Sequence, residues 1–130
     1  MLITSVPQYI QSITNAKVKL SDSSATILYT APTDADFNAS IVNSILVAEQ
    51  SGNADTITVT LTDTASSPVT FTLFKVKAVS ANTTIELLTR DLVLKSGEIL
   101  KVQAATGGRL HVTASIQQLS RRRISTSSAL

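Results

Sequence analysis

The sequence predicts an all-β protein folded as a single antiparallel β-sandwich of about eight strands. Two observations about the strands support this prediction. Apolar residues alternate with polar ones in many short runs, as in TITVTLTD from Thr56 to Asp63. The runs are rich in Thr, Val and Ile, whose β-branched side chains suit a pleated surface. The alternation leaves the strand order open, so a jelly roll and an immunoglobulin-like sandwich both fit it.

The predicted strands follow one another along residues 16–119, and turn-forming segments separate them. Those segments are SDSS, APTDADFN, QSGNAD, DTASSP, VSAN, KSGE and TGG. The predicted strands are Ala16–Leu20, Ala25–Thr30, Ile41–Glu49, Asp55–Asp63, Val69–Val76, Thr83–Leu88, Ile99–Ala105 and Arg109–Leu119. A further short strand around Leu92–Leu94 is left open.

Two segments outside this domain show no core pattern. Residues 1–15 have no clean period, and Pro7 breaks any early helix, so they are predicted to form an N-terminal arm. Residues 120–130 are predicted to form a basic and polar C-terminal tail. The domain boundaries are therefore 1–15, 16–119 and 120–130.

Period-two alternation assigns the strand faces. The predicted core contains Ile57, Val59, Leu61, Val69, Phe71, Leu73, Leu100, Val102, Ala104, Leu110, Val112, Ala114 and Ile116. The opposite faces carry Thr56, Thr58, Thr60, Thr62, Thr70, Thr72, Arg109, His111, Thr113 and Ser115. The run from Ile41 to Val47 is apolar more continuously, which predicts a central strand or one covered on both faces.

The threonine-rich faces have two explanations. Threonine hydroxyls are hydrated, yet they lose less on desolvation than lysine or glutamate, which favours a surface on which a flat partner docks. The competing explanation is that threonine simply has high β propensity on solvent-facing sheets.

Composition restricts the function classes. Charged residues make up 15% of the 130 residues and the net charge is +2, against a typical charged share of about 25%. Aromatics are 4% with no Trp, so no nucleic-acid interface is predicted. No cysteine is present, which excludes disulfides and thiolate chemistry. The sequence shows neither a secretory signal nor a membrane span, so the chain is expected to be made in a cytoplasm and to stay soluble or assemble there.

No catalytic, metal or cofactor site is predicted. His111 is the only histidine, and a Ser-His-Asp arrangement would have to use it. It lies mid-strand on the polar face, which is typical of a surface histidine. Asp34 and Asp36 resemble part of a calcium loop but lack its glycine and distant glutamate, so they are interpreted as turn residues.

Five residues outside the sandwich are predicted to dock a partner. Tyr9 and Ile10 would form an apolar anchor on the N-terminal arm. Arg121, Arg122 and Arg123 would form an electrostatic anchor that orders on an acidic neighbour. A solvated, frayed terminus is the alternative for the arginines.

Two stretches together carry a family resemblance. They are ILYTAPTDADFNASIVNSILVAEQSGNADTITVTLTD (Ile27 to Asp63) and VSANTTIELLTRDLVLKSGEILKVQAATGGRLHVTASIQQL (Val79 to Leu119). This pattern resembles small β-sandwich virion structural proteins of tailed bacteriophages, of the cyanophage and marine phage type. The resemblance covers about two-thirds of the chain and leaves the two termini outside.

The resemblance implies a non-enzymatic building block located in the virion and assembled in a bacterial host. The leading expectation is a capsid decoration (cement) protein, a homo-oligomer and specifically a trimer, bound to the major capsid protein. The alternative is a tail, neck, baseplate or fibre component. A carbohydrate-binding module is a third hypothesis, although such modules offer flat aromatic platforms that this sequence lacks. No cofactor, membrane or nucleic-acid partner is expected.

Overall fold

A computed structural model describes the backbone of residues 7–123 and the side chains of residues 12–120. This part of the chain forms nine strands and no helix, which confirms the all-β prediction. The strands are β1 (Pro7–Lys19), β2 (Thr26–Thr30), β3 (Phe37–Glu49), β4 (Asp55–Asp63), β5 (Val69–Val79), β6 (Thr84–Glu86), β7 (Leu92–Leu94), β8 (Ile99–Ala104) and β9 (Leu110–Arg123). Within that range no helix is long and apolar enough to cross a bilayer.

The strands pair into two antiparallel sheets. One sheet has the order β1-β9-β3-β6, with β7 also paired to β3, and the other has the order β2-β8-β4-β5. The pairing is nested: β1 pairs with β9, β2 with β8, β3 with β6 and β7, and β4 with β5. This nesting is the jelly-roll arrangement of a double-sheet sandwich. The structure therefore selects the jelly roll over the immunoglobulin-like alternative.

The core lies between the two sheets, as the alternation predicts. Inward side chains of both sheets interdigitate in one apolar layer. The residues that are both predicted and buried are Ile57, Val59, Leu100, Val102, Ala104, Leu110, Val112, Ala114 and Ile116. Strand β3 is central in its sheet, between β9 and the short strands, and contributes buried Val42, Ile45 and Val47.

Strands β1 and β9 extend beyond their predicted bounds, as do β3 at its start and β5 at its end. The strand predicted from Ala16 begins at Pro7, and the last strand continues to Arg123. β1 and β9 pair from Pro7–Arg123 to Lys19–His111 without a register shift. The backbone ladder with β9 places residues 7–15 in a strand although their sequence has no clean period. Residues 1–6 and 124–130 of the predicted arms lie outside the described residues, and docking by the arms stays a prediction.

The prediction that Val69 and Phe71 lie in the core is wrong. Their side chains are 50% and 53% exposed, and Leu73 is half-buried. Phe71 pairs with Leu61, which also pairs with the buried Leu100, so the inward parity is correct. However, β5 is the last strand of its sheet, and the facing sheet ends in the three-residue strands β6 and β7. The facing sheet therefore gives little cover at β5.

Two truncations compare the stability contributed by a core side chain that the facing sheet covers with that of a side chain that it leaves exposed. Leu100→Ala removes a fully buried side chain and is expected to lower the free energy of unfolding by about 2–5 kcal/mol. Phe71→Ala removes a larger but half-exposed side chain and is expected to cost less than about 1 kcal/mol. Urea denaturation measures both. Equal losses of unfolding free energy in the two variants would show that Phe71 belongs to the core.

Candidate docking surfaces

The outer face of the β2-β8-β4-β5 sheet carries the predicted threonines. We call Thr56, Thr58, Thr60, Thr62, Thr70 and Thr72 the hydroxyl face. Part of its hydrogen-bonding capacity is used within the sheet. Thr62 and Thr70 hydroxyls lie 3.0 Å apart across two strands. The Val76 N–H donates to the Thr58 hydroxyl at 3.1 Å.

These hydrogen bonds give the threonine hydroxyls a structural role in addition to the high strand propensity of threonine. The Thr58 contact closes an irregular part of β5, where the register shifts and Val76 has a positive φ of 51°. A β-branched residue there is strained, so the hydroxyl acceptor stabilises the bulge. The hydroxyl face is therefore partly a sheet-building feature and less freely available for docking than its composition suggests.

The outer face of the other sheet is more apolar. Ile13, Gln117, Ile41 and Val93 lie in one row across β1, β9, β3 and β7, and we call them the apolar row. Ile13 is 80% exposed and Val93 is 55% exposed. Leu46, 41% exposed, lies on the same face further along β3. Ile41 and Val93 adjoin each other, and Gln117 separates them from Ile13. Exposed apolar residues that adjoin one another mark interaction surfaces more than scattered ones do.

On β1, β9 and β3, the charged side chains that the structure describes on this face lie at one end. The row next to the apolar row contains Asn15, Ser115 and Ser44, none of them charged. Lys17, Thr113, Leu46 and Glu86 form the following row, and Lys19 and His111 lie beyond it. Next to the apolar row, the described side chains of β1, β9 and β3 can therefore lose water at low electrostatic cost, whereas the charged Asp91 accepts a hydrogen bond from Asn43 beside β7.

Sequence reasoning missed the apolar row for identifiable reasons. Ile13 falls in the segment predicted to be an arm, and Val93 falls in the strand left open. Ile41 belongs to the run that is apolar at both parities, and that run was a usable signal. Its prediction of a central strand is confirmed, since β3 lies between β9 and the short strands. The alternative, cover on both faces, is met on the inner side only: among the described residues, Leu46 remains exposed on the outer side.

The predicted anchor residues meet at one end of this sheet. Tyr9 pairs with Arg121 and Ile10 with Ser120, while Gln8 pairs with Arg122. Arg123 pairs with Pro7, so all five predicted residues occupy neighbouring backbone positions on β1 and β9. The side chains of these residues lie outside the described range. Two anchors predicted on separate arms thus belong to one pair of strands, and their role in docking stays a prediction.

The two sheets are joined by a polar bridge near that end. The Tyr29 hydroxyl on β2 lies 2.7 Å from the Ser40 hydroxyl on β3. Gln118 Nε2 on β9 donates to the same tyrosine oxygen at 2.6 Å. Ser40 is buried, so the bridge satisfies a polar group inside the sandwich. Tyr29 is consequently held between the sheets and is not a surface platform.

A buried carboxylate organises the loops at the opposite end. Glu49 accepts hydrogen bonds from the N–H groups of Ser51, Gly52 and Asn82 at 2.9–3.1 Å, and from the Ser51 hydroxyl at 2.5 Å. Burial opposes its charged form, but these donors outweigh burial and lower the pKa of Glu49 to about 2. The carboxylate therefore joins the turn after β3 to the turn after β5.

His111 does not assemble a catalytic arrangement with the residues around it. It pairs with Lys19 and Ala48, and the shallow hollow beside it is lined by Lys17, Lys19 and Thr113. No carboxylate lines this hollow to orient the imidazole. Across residues whose side chains are described, no three His, Asp or Glu residues are grouped to hold a metal ion.

No protein-family model and no curated protein matches this sequence. Among solved structures, a subunit of the disulfide-linked pili of Bacillus endospore appendages is similar with a TM-score of 0.54 and 7% identity, over 94% of this chain and 96% of that chain. A chain of infectious bursal disease virus has a TM-score of 0.48 and 10% identity, over 93% of this chain and 38% of that one. A pentameric capsid protein from metagenomic phage sequences has a TM-score of 0.46 and 17% identity, over 84% and 61%. At such identities, the likeness to the pilus subunit is one of fold alone.

Removing the Tyr29 hydroxyl tests the polar bridge. Tyr29→Phe leaves the buried Ser40 hydroxyl without its tyrosine partner and is expected to lower the free energy of unfolding by about 1–3 kcal/mol. Chemical denaturation measures the loss. Ser115→Ala, which removes an exposed hydroxyl from the same sheet, is the control and should change little. An unchanged Tyr29→Phe variant would show that the bridge does not stabilise the fold.

The Glu49 network predicts how stability changes with pH. The carboxyl has its ordinary pKa of 4.5 in the unfolded chain and about 2 in the folded one. Its stabilising contribution is therefore fully present above 4.5 and is lost as the pH falls from 4.5 towards 2. Glu49→Gln should be less stable than the wild type at neutral pH, and the difference should shrink in acid. Denaturation at a series of pH values measures this, and a pH-independent difference would contradict it.

Proposed function

We propose that this chain is a non-enzymatic structural protein of a tailed-phage virion, and specifically a decoration protein that clamps neighbouring capsid subunits. The observation that carries the proposal is the outer side of strand β3. Its residues are apolar at both parities, yet the described chain covers only the inner side fully, leaving Leu46 exposed, Ile41 half-buried and the neighbouring Val93 exposed. A partner from outside this fold would supply the missing cover.

The rest of the surface favours a structural protein that docks on a partner over an enzyme. The hollow at the only histidine has two lysines and a threonine beside it, so it lacks the acid that a hydrolytic triad needs. The predicted apolar and cationic anchors occupy adjoining positions at the end of the same sheet that carries the apolar row. Three arginines there would give the docked protein an electrostatic contact with an acidic capsid surface.

Trimeric assembly remains part of the proposal. Three copies around a threefold axis would present three apolar rows and three arginine clusters to the capsid at once. Weak contacts from each copy then sum to firm attachment without a large interface per copy. The major capsid protein is the proposed partner, the virion is the proposed location, and the bacterial host cytoplasm is the proposed place of assembly.

A structural component of a tail, neck, baseplate or fibre is the second candidate. The long edge of β1 favours it, since strand edges can join copies into rings or fibres. This chain has no cysteine, so any such fibre would be held by non-covalent contacts. The number of copies per particle separates the two candidates, because a decorated lattice needs far more copies than a symmetric ring.

A carbohydrate-binding module has less support. Tyr29, the aromatic residue that would test it, is held in the bridge between the sheets. The exposed aromatic among the described side chains is Phe71, at the β5 edge. A single phenylalanine is a small platform for a sugar ring. Saturable binding on a glycan array that is lost on Tyr29→Ala would overturn this ranking.

Undecorated phage heads provide the test. Purified protein is mixed with the heads and imaged by cryo-electron microscopy, and ordered density on the capsid lattice is expected. Val93→Lys places a charge in the apolar row and is expected to reduce occupancy roughly tenfold or more. Thr72→Lys places the same charge on the hydroxyl face and should bind normally. Replacing all three arginines with serine should weaken attachment most at low salt.

Absence of lattice density for the wild type would reject the decoration role. Density that survives Val93→Lys but is lost on Thr72→Lys would instead assign docking to the hydroxyl face. Thermal unfolding of both lysine variants checks that they remain folded, since both positions are exposed.

A further inference from the structure

The two sheets have four edges, and three of these edges are protected against pairing with a strand of another chain. Strand β2 has five residues and a register shift, while β6 and β7 have three residues each. Strand β5 contains two register shifts, a positive φ at Val76, and lysines at positions 75 and 77. Short length, bulges and lysines are the devices by which proteins prevent edge-to-edge pairing.

Strand β1 has none of these devices over most of its length. It has 13 residues and pairs with β9 without a register shift. From Pro7 to Ala16 it contains no charged residue, and Lys17 and Lys19 lie at its end. Within residues 7–123, no strand pairs with its outer side. A long, regular and uncharged edge offers a row of backbone groups to another strand.

We propose that β1 pairs antiparallel with β1 of a second copy of this chain, about a twofold axis at Ile13. The lysines favour this register. Centring the pair on Ile13 places Lys17 opposite Tyr9 and Lys19 opposite Pro7 of the second copy, so no lysine lies opposite a lysine. Centring it near Lys17 or Lys19 would bring lysines into direct opposition, which destabilises a strand pair.

The exposure of Ile13 is the second reason for this register. Its side chain is 80% exposed and points to the outer face, as Gln117 beside it does. In the twofold pair, Ile13 would pack against its own counterpart at about 4.5–5.5 Å between Cβ atoms. Such a contact is isologous, because the same residue serves both copies.

Pairing would also join the two apolar rows. The row that runs through Val93, Ile41, Gln117 and Ile13 would continue through Ile13 of the second copy and on across its sheet. The resulting surface is twice as long and keeps the lysines of both copies away from its centre. Self-pairing does not depend on a virion role, so it and the capsid-binding proposal can fail separately.

Single-cysteine cross-linking tests the register directly, because the natural chain has no cysteine. In the full chain, Ile13→Cys should form a disulfide-linked dimer under mild oxidation, since residue 13 meets itself. Lys17→Cys is the matched control: it lies on the same strand and face and is exposed. In the proposed register it lies about 26 Å from its counterpart, which no disulfide spans.

The expected result is a dimer that forms at least roughly tenfold faster from Ile13→Cys than from Lys17→Cys. The cross-link reports only the contact at β1, so the result is the same whether or not the protein also forms trimers. Equal rates, faster linkage of Lys17→Cys, or no dimer from Ile13→Cys would overturn the proposal. A second measurement uses the variants Ile13→Lys and Ile13→Glu. Each alone should stay monomeric because like charges meet at position 13, and a mixture of the two should form a dimer. Failure of the mixture to associate would likewise overturn it.

Discussion

One apolar layer between two sheets is the constraint on which the rest of this structure depends. The long strands β3, β4 and β9 contribute alternate side chains to that layer, and the nested pairing of the jelly roll brings strands distant in sequence onto it. Leu100, Val102, Val112 and Ile116 are fully buried in that layer, so the inward parity of β8 and β9 is used for the core. Function is therefore left to the outward parity, to the strand edges and to the loops.

Local alternation predicted much of the fold, because a period of two reports burial directly. It predicted the strand Asp55–Asp63 with its observed bounds and most of the buried residues. It failed at Phe71, because alternation gives parity but not the width of the facing sheet. It also missed the strand from Pro7 to Asn15, which is defined by its ladder with β9 and not by its own period. Strand order and overhang are non-local, and a sequence pattern of a few residues does not contain them.

The polar features of the structure were harder to predict for the same reason. Tyr29, Ser40 and Gln118 come from three strands and meet only because the two sheets are stacked. Glu49 is ordinary in sequence, yet the turns that follow β3 and β5 supply its four donors. The run around Ile41 and Leu46 is the exception, since apolar residues at both parities indicated either a central strand, which β3 is, or a strand covered on both faces. That indication is what links the sequence to the proposed docking surface.

The two outer faces now have distinct interpretations. Thr58, Thr62 and Thr70 hydrogen-bond within their own sheet, and the Thr58 hydroxyl stabilises its bulged edge strand. The other sheet combines an apolar row with an unprotected edge, which are the features expected of a subunit that assembles. Amide hydrogen exchange, compared between the isolated protein and the protein seated on an assembled particle, tests this account most directly. The account predicts new protection along β1 and β7, whereas protection confined to β5 or to the loops around Glu49 would contradict it.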